Sequence, residues 1–181
     1  HRFGNGAQVG HGRLGASAMI VLDPEHLRQI VGAAEAAYPE EACGLLVGHR
    51  DEGPGAGTVH IAAVAESPNL AAGARAERFE VDPALRLRLQ RELRGGAEGV
   101  IGLYHSHPDG VAQPSDRDLE AAWEPDLVWL VTAVAKGQAI HTSAHVLIHD
   151  GQRVRFDEVP LRTTDWRPYG GRDPIEGAGL A

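Results

Sequence analysis

The chain has 181 residues, which suits a single domain, and its hydrophobic fraction of 43% is enough for a buried core. A formal net charge of −8 argues against a nucleic-acid partner, and no apolar run approaches the ~18 residues of a membrane span. One cysteine excludes an internal disulfide framework and favours a reducing compartment, so we expect a cytoplasmic protein that binds neither nucleic acid nor membrane.

The two ends of the chain differ in composition from its middle. Residues 1–18 contain five glycines and no apolar periodicity, so we expect a flexible leader, with the natural start at Met19, the only methionine. Residues 19–160 are expected to form the folded domain. Residues 161–181 are rich in proline and glycine and are expected to form a loosely attached tail.

The first half of the chain predicts alternating strands and helices. Two helices are expected, and each begins at an Asp-Pro pair, Asp23-Pro24 and Asp82-Pro83. The first ends at Pro39 and the second at Gly95. Strands of apolar or alternating residues are expected over 19–22, 43–49, 58–65 and 79–81.

A metal site is the strongest chemical signal in the sequence. An apolar run over 100–104 continues into His-Ser-His and ends at a proline, which predicts a buried strand with His105 and His107 on one face. Asp118 follows eleven residues later, at the start of a short helix that Ser115 caps. Two histidines and one carboxylate are the ligand set of a catalytic zinc site that keeps a fourth position for water.

The remaining strands contain a second group of histidines. Further strands are predicted over 127–134, 141–149 and 153–159. Alternate positions of the middle strand carry His141, Ser143, His145 and His149, opposite apolar residues. We interpret them as the solvated face of an antiparallel strand, because no carboxylate at a defined spacing accompanies them. Isolated histidines receive the same non-functional interpretation: His26, His49 and His60.

Two segments together resemble the motif of the JAMM (MPN-plus) metalloprotease family. Glu41 stands two residues before Cys43-Gly44-Leu45-Leu46, and His-Ser-His, Ser115 and Asp118 follow at the family spacing. The resemblance covers roughly residues 19–159. It implies an α/β fold of the JAB1/MPN (cytidine-deaminase-like) type, with a curved mixed β-sheet flanked by two long helices plus a short helix.

The resemblance also implies a mechanism. One Zn²⁺ per chain would be held by His105, His107 and Asp118, and Glu41 would act as the base that assists attack of zinc-bound water. Ser115 would hydrogen-bond the oxyanion of the tetrahedral intermediate, although the sequence alone supports a plain helix cap equally well. The single cysteine, which lies in an apolar strand, is interpreted as a small buried residue rather than a nucleophile.

The implied activity is that of a zinc metallopeptidase. It would hydrolyse the peptide or isopeptide bond after the C-terminal Gly-Gly tail of a ubiquitin-like or sulfur-carrier protein. The chain between Asp118 and the next strand is too short for the second insertion of eukaryotic deubiquitinases, so the compact prokaryotic members are the nearer resemblance. A small-molecule zinc amidohydrolase and a non-catalytic MPN scaffold are the alternatives.

Overall fold

The computed structural model describes residues 14–15, 17–52, 57–122 and 124–165. These residues form one eight-stranded mixed sheet in the order β7-β6-β5-β4-β2-β3-β1-β8. The strands are β1 (Met19–Leu22), β2 (Cys43–Arg50), β3 (Thr58–Ser67), β4 (Gly99–Pro108), β5 (Val128–Ala135), β6 (Gln138–Asp150), β7 (Arg153–Val159) and β8 (Leu161–Thr163). The pairs β1–β3, β1–β8 and β4–β5 are parallel and the others antiparallel. The sheet and its few helices make the protein α/β, as predicted.

The described residues contain three helices, and none of them is long and apolar enough to cross a membrane. They are α1 (Pro24–Ala37), α2 (Pro83–Glu92) and α3 (Asp116–Ala121). The Asp-Pro starts are confirmed, because the side chains of Asp23 and Asp82 accept hydrogen bonds from first-turn backbone N–H groups at 2.8 and 2.9 Å. Only α1, with 14 residues, is long; α2 has 10 and buries only Leu85, so the expectation of two long helices is met only in part.

The core lies between the centre of the sheet and α1. β5 is buried along nearly its whole length, as a strand covered on both faces should be. Ile30 and Ala34 are the buried residues of α1. The largest fully buried side chains are Tyr104, Ile20, Leu22, Ile30, Leu46, Leu130 and His105. The predicted site strand β4 lies near the centre of the sheet, between β2 and β5.

The segment that joins β3 to α2 corrects one sequence prediction. Residues 79–81 do not form a strand, and only Val81 pairs, through an isolated bridge to Asn69. The side chain of Asn69 provides the reason. Its amide donates to the carbonyl of Arg78 and its oxygen accepts from the N–H of Glu80, so a side chain satisfies backbone groups that a neighbouring strand would otherwise satisfy.

The predicted boundaries at both ends of the domain also change. Leu161–Thr163 belong to the predicted tail, but they form β8, which pairs with β1 because its backbone completes the open edge of that strand. Leu14 and Ala18 of the predicted leader are buried in the core. Residues 1–13 and 166–181, where the rest of the predicted leader and tail lies, are outside the described residues.

Candidate functional site

The end of β4 and the start of α3 meet at one point. His105 and His107 are two residues apart on β4, so their side chains leave the same face of the strand. Ser115 caps α3, and the side chain of Asp118 turns back to accept a hydrogen bond from the Ser115 N–H at 2.6 Å. This reciprocal capping box directs the Asp118 carboxylate out of the helix and towards the two histidines.

Three side-chain atoms converge there at nearly equal distances. Oδ2 of Asp118 lies 3.0 Å from Nε2 of His105 and 3.3 Å from Nε2 of His107, and the two Nε2 atoms are 3.1 Å apart. Ligands placed tetrahedrally at about 2.0–2.1 Å from Zn²⁺ are roughly 3.3 Å apart. The triangle therefore matches one face of such a tetrahedron, and the nitrogen and oxygen donors suit a zinc ion.

The surroundings of His105 and Asp118 favour the protonation states that a metal requires. Burial lowers the pKa of the fully enclosed His105, which keeps its imidazole neutral. Burial alone would raise the pKa of Asp118, but hydrogen bonds from both imidazoles outweigh it and hold that pKa well below its usual range. Phe79 stacks on His105, with ring centroids 4.4 Å apart, and Trp129 contacts it edge-on at 5.7 Å.

The loop that follows β4 fixes the orientation of His107. Its Nδ1 lies 2.8 Å from the carbonyl oxygen of Val111, which can only accept, so Nδ1 carries a proton. Burial opposes protonation, but hydrogen bonds to Asp118 and Val111 outweigh it and raise the pKa of His107, so a metal would take the place of the proton on Nε2. Ser143 of β6 donates to the carbonyl of Ala112 in the same loop, and its hydroxyl lies 2.7 Å from Nε2 of His145. The loop is thus held by β6.

This contact corrects the interpretation of the β6 histidines. His141 and His149 are exposed, as predicted, but Ser143 and His145 are buried. The face is covered because the loop after β4 lies across the middle of β6, a contact that the alternation of residues within one strand cannot reveal. His145 is therefore part of the support of the site and not of a solvated face.

Glu41 lies just before β2, next to the cluster. Cys43 pairs with His105 in the antiparallel register, which places Glu41 opposite His107. The N–H of Ala42 donates to the hydroxyl of Ser106 at 2.8 Å, and the N–H of Ser106 donates to the carbonyl of Ala42 at 3.1 Å. The central residue of His-Ser-His, which the sequence placed only on the opposite face, thus joins the Glu41 segment to the histidine strand.

The carboxyl group of Glu41 is in an unusual environment. The residue is only 5% exposed, and its Oε2 atom has no hydrogen-bond partner among the described residues. Burial raises its pKa to about 8; the Asp118 charge also raises it, whereas His107 and Arg117 oppose the change. Its neighbour Glu40 is exposed, so the two adjacent carboxylates face different surroundings.

The cluster opens into a cleft with a volume of about 530 Å³. Glu41, His107 and Ser115 line this cleft, together with Glu77 and Arg117, whose charged groups lie 3.6 Å apart. The Ser115 hydroxyl accepts a hydrogen bond from the Asp118 N–H at 3.2 Å and keeps its own proton for a group in the cleft. A cap and a donor to a ligand are therefore compatible roles for this residue.

Sequence reasoning missed Asn69. Its amide donates to the carbonyl of Glu41 at 3.1 Å, while its oxygen accepts from the N–H of Ala71 at 3.0 Å. The N–H of Glu41 in turn donates to the carbonyl of Arg75 at 2.8 Å. The β3–α2 segment therefore holds the backbone of Glu41 on both sides. The available signal was an asparagine directly after a proline in a stretch without periodicity, a residue type that commonly bonds to loop backbone.

The structure agrees with the structural interpretation of Cys43. The side chain is buried, and its sulfur contacts the carbonyl oxygens of Ser67, Pro68 and Glu80 at 3.7–3.9 Å. Burial raises the pKa of the thiol to about 11. A buried thiol that holds its proton this strongly is a poor nucleophile.

Comparison with known proteins settles the family. The model of the prokaryotic homologues of the JAB domain matches residues 23–146, more than half of the chain. The chain belongs to this family. All of the residues described above, from Glu41 to Asp118, lie within the matched part. The compact prokaryotic JAMM/MPN assignment made from the motif is thereby confirmed.

Several known proteins are similar to this chain in sequence or structure. A desampylase of Haloferax volcanii is 30% identical over 93 residues, which are 51% of this chain and 62% of the relative. A CysO-cysteine peptidase of Mycobacterium bovis is 28% identical over 121 residues, 67% of this chain and 77% of the relative. The solution structure of protein DSY2949 from Desulfitobacterium hafniense superposes with a TM-score of 0.66 at 28% identity, covering 80% of this chain and 92% of that one. A protein from Salinibacter ruber gives 0.56 at 30% identity, with 78% and 90% covered.

Proposed function

We propose that the protein is a zinc metallopeptidase that hydrolyses the bond after the C-terminal Gly-Gly tail of a ubiquitin-like or sulfur-carrier protein. The observation that carries this proposal is the triangle of His105, His107 and Asp118 beside the buried carboxyl group of Glu41. The group has three members among the described residues, which leaves a fourth tetrahedral position for a reactant. That arrangement favours an enzyme over a non-catalytic scaffold.

Each side chain has a defined role in the proposed reaction. His105, His107 and Asp118 would hold Zn²⁺, which when bound supplies a Lewis acid beside the scissile carbonyl. Glu41 would take a proton from the attacking water as its oxygen bonds to the carbonyl carbon. It would then deliver that proton to the nitrogen as the C–N bond breaks, so that one carboxyl group acts as base and then as acid. Ser115 would donate a hydrogen bond to the oxyanion.

The environment of Glu41 supports this double role. A carboxyl group with a pKa of about 8 in the metal-free protein is mostly protonated at neutral pH, so it can hold a proton and return it to a leaving group. Arg117 and a bound cation would both favour the ionised form, which is the form that accepts a proton. The buried position also keeps bulk water from competing for the same proton.

The shape of the cleft and the names of the relatives support the choice of substrate. A tail that ends in two glycines has no side chains and can approach a carboxyl group as buried as that of Glu41. Two similar proteins are named a desampylase and a CysO-cysteine peptidase, and the second name describes hydrolysis of an adduct to cysteine. We therefore propose that the substrate is an adduct at the end of a small carrier protein.

The test is to incubate zinc-loaded protein with the Gly-Gly carriers of the same genome, each bearing a C-terminal adduct, and to measure the intact masses. The wild-type protein and the exposed-neighbour control Glu40→Gln should release the adduct at the same rate. Glu41→Gln should be slower by a factor on the order of 10²–10⁴, the usual contribution of a positioned acid-base group. Equal rates for all three proteins would contradict the mechanism. Equal cleavage of a small amide and a carrier adduct would favour a small-molecule amidohydrolase.

A further inference from the structure

We propose that His49, Asp51 and His60 form a second metal site, for a divalent transition-metal ion of the zinc type, on the β2–β3 hairpin. The two histidines are eleven positions apart, and no pattern in the sequence connects them with each other or with Asp51. The structure brings one imidazole from each strand and a carboxylate onto the same face of the hairpin. The proposal is independent of the peptidase activity.

The pairing of the strands creates the cluster. His49 pairs directly with His60, and Asp51 is two residues beyond His49, so all three side chains lie on the same face. This register depends on a bulge. The pairing shifts by one residue between Val47 and Gly48, which leaves Ala62 unpaired and brings His60 rather than Ile61 opposite His49.

Gly48 makes the bulge possible. A Cβ atom at this position would lie 1.8 Å from the carbonyl oxygen of His60, a distance that no side chain can tolerate. The strands can approach only because residue 48 has no side chain. The juxtaposition of the two histidines is therefore built into the backbone and does not depend on the rotamers of two surface side chains.

The side chains are already within the reach of one ion. Nε2 of His60 lies 3.0 Å from Oδ1 of Asp51, and the three potential ligand atoms are within 4.8 Å of one another. The imidazole rings of His49 and His60 stack with centroids 4.8 Å apart. Binding one ion requires these rings to rotate out of the stacked arrangement. His49 is exposed and the side chain of His60 is 37% exposed, so both have room to do so.

The donor set selects the class of ion. Two imidazoles and one carboxylate suit Zn²⁺, Cu²⁺ or Ni²⁺, whereas Mg²⁺ and Ca²⁺ prefer sites made only of oxygen atoms. Because three donors come from the protein, the remaining positions would be filled by water. Exposure to solvent and the need for ring rotation should make this site weaker than the buried triangle of His105, His107 and Asp118, whose atoms are already 3.0–3.3 Å apart.

The two clusters are separate sites. Cys43, which pairs with His105, and His49 lie near opposite ends of β2. At about 3.3 Å per residue, the intervening strand keeps the clusters roughly 20 Å apart. One ion cannot bridge them, and substitutions in the hairpin should leave the contacts of the Glu41 cleft intact.

The experiment is a zinc titration of the metal-free full chain by calorimetry, with imidazole nitrogen chemical shifts recorded in parallel by NMR. His60→Gln and the isosteric Asp51→Asn remove one ligand each. His141→Gln is the matched control, because His141 is also an exposed strand histidine but belongs to neither described cluster. We expect the wild-type protein and the control to bind one more equivalent of Zn²⁺ than either hairpin variant, in a second and weaker phase. The ring nitrogens of His49 and His60 should shift in that phase only.

Two results would overturn the proposal. One is an unchanged stoichiometry in both hairpin variants; the other is a full zinc titration during which the ring nitrogens of His49 and His60 do not shift. If His60→Gln fails to fold, as judged by circular dichroism, Asp51→Asn and the wild-type ring shifts still decide the question. If Asp118→Asn loses the first, tighter phase and retains the second, the hairpin site binds zinc independently of the triangle.

Discussion

The side-chain amide of Asn69 donates a hydrogen bond to the backbone carbonyl of Glu41 at 3.1 Å. The same amide group bonds to three other backbone groups of the β3–α2 segment. That segment also supplies Phe79, whose ring stacks on His105. One irregular segment therefore holds both the carboxyl group proposed as the base and one of the proposed metal ligands.

Replacing Asn69 should impair the rate rather than the binding of metal. Asn69→Ala removes three hydrogen bonds within the segment and the one that holds the backbone carbonyl of Glu41. A displacement of about 1 Å in a reacting group can reduce turnover by about 10²-fold. We expect kcat to fall with zinc content unchanged, as measured by steady-state kinetics and elemental analysis. The control is Gln29→Ala, which removes an amide donor to Val64 on another part of the surface. An increase in KM with kcat unchanged would contradict the positioning role.

The raised pKa of Glu41 predicts a pH-dependent stability in the metal-free protein. Its folded value of about 8 lies above the reference value of 4.5, so the folded state keeps a proton that the unfolded state has lost within that window. Stability from this group is present at low pH and declines as the pH rises towards 8, by at most about 1.4 kcal/mol per pH unit.

Glu41→Gln removes this dependence. The difference in unfolding free energy, variant minus wild type, should therefore increase between about pH 5 and about pH 8, as measured by urea unfolding in the presence of a chelator. Other titrating groups, including the histidines, are present in both proteins and largely cancel in the difference. Glu40→Gln should show no such trend. A difference that does not vary with pH would mean that the Glu41 carboxyl group is ionised in the folded protein throughout.

Asp118 and Asp116 provide a matched pair for testing the metal site. Both are acidic residues in the first turn of α3, but Asp118 is buried against the histidines and Asp116 is exposed. Asp118→Asn should lose the tightly bound zinc and the activity, whereas Asp116→Asn should keep both. Zinc at about a thousand times its Kd should stabilise a protein with an intact site by about 4 kcal/mol, which a thermal melt with and without the metal will measure. Tight zinc retained by Asp118→Asn would contradict the assigned ligand set.

Two substitutions of Ser115 separate its possible roles. Alanine removes the hydroxyl and weakens the helix cap at a cost of about 1 kcal/mol, whereas glycine removes the hydroxyl but costs the cap only a few tenths of that. If the hydroxyl stabilises the oxyanion, both variants should lose activity by about 10²–10³-fold despite their different stabilities. Unfolding and single-turnover measurements will test this. If the activities of the two variants instead follow their stabilities, with the glycine variant close to wild type, Ser115 acts only as a helix cap.

The positions of the candidate site residues were largely predictable, because these residues lie on a strand and a helix start that the sequence marks clearly. His105 and His107 follow an apolar run, and Asp118 follows a serine cap, so strand alternation and capping rules place each residue on its element. That the three converge is what the resemblance to the JAMM motif implies. The role of Asn69 could not be predicted, because its partners belong to an irregular segment. The burial of His145 depends on a loop from another strand, and the pairing of His49 with His60 depends on a one-residue bulge. Long-range contacts and register shifts leave no periodic trace in a sequence.

The position of the Asp118 carboxylate links the ordering of α3 to the occupancy of the ligand triangle. The same Oδ2 atom accepts the Ser115 N–H and faces both imidazoles, and α3 has only six residues, too few to be stable alone. By thermodynamic reciprocity, an interaction that stabilises this short helix raises the affinity of the triangle for a cation. A bound cation stabilises the helix by the same free energy. Because Arg117 belongs to the same turn and lines the cleft, a cation bound by Asp118 would also order this part of the cleft wall.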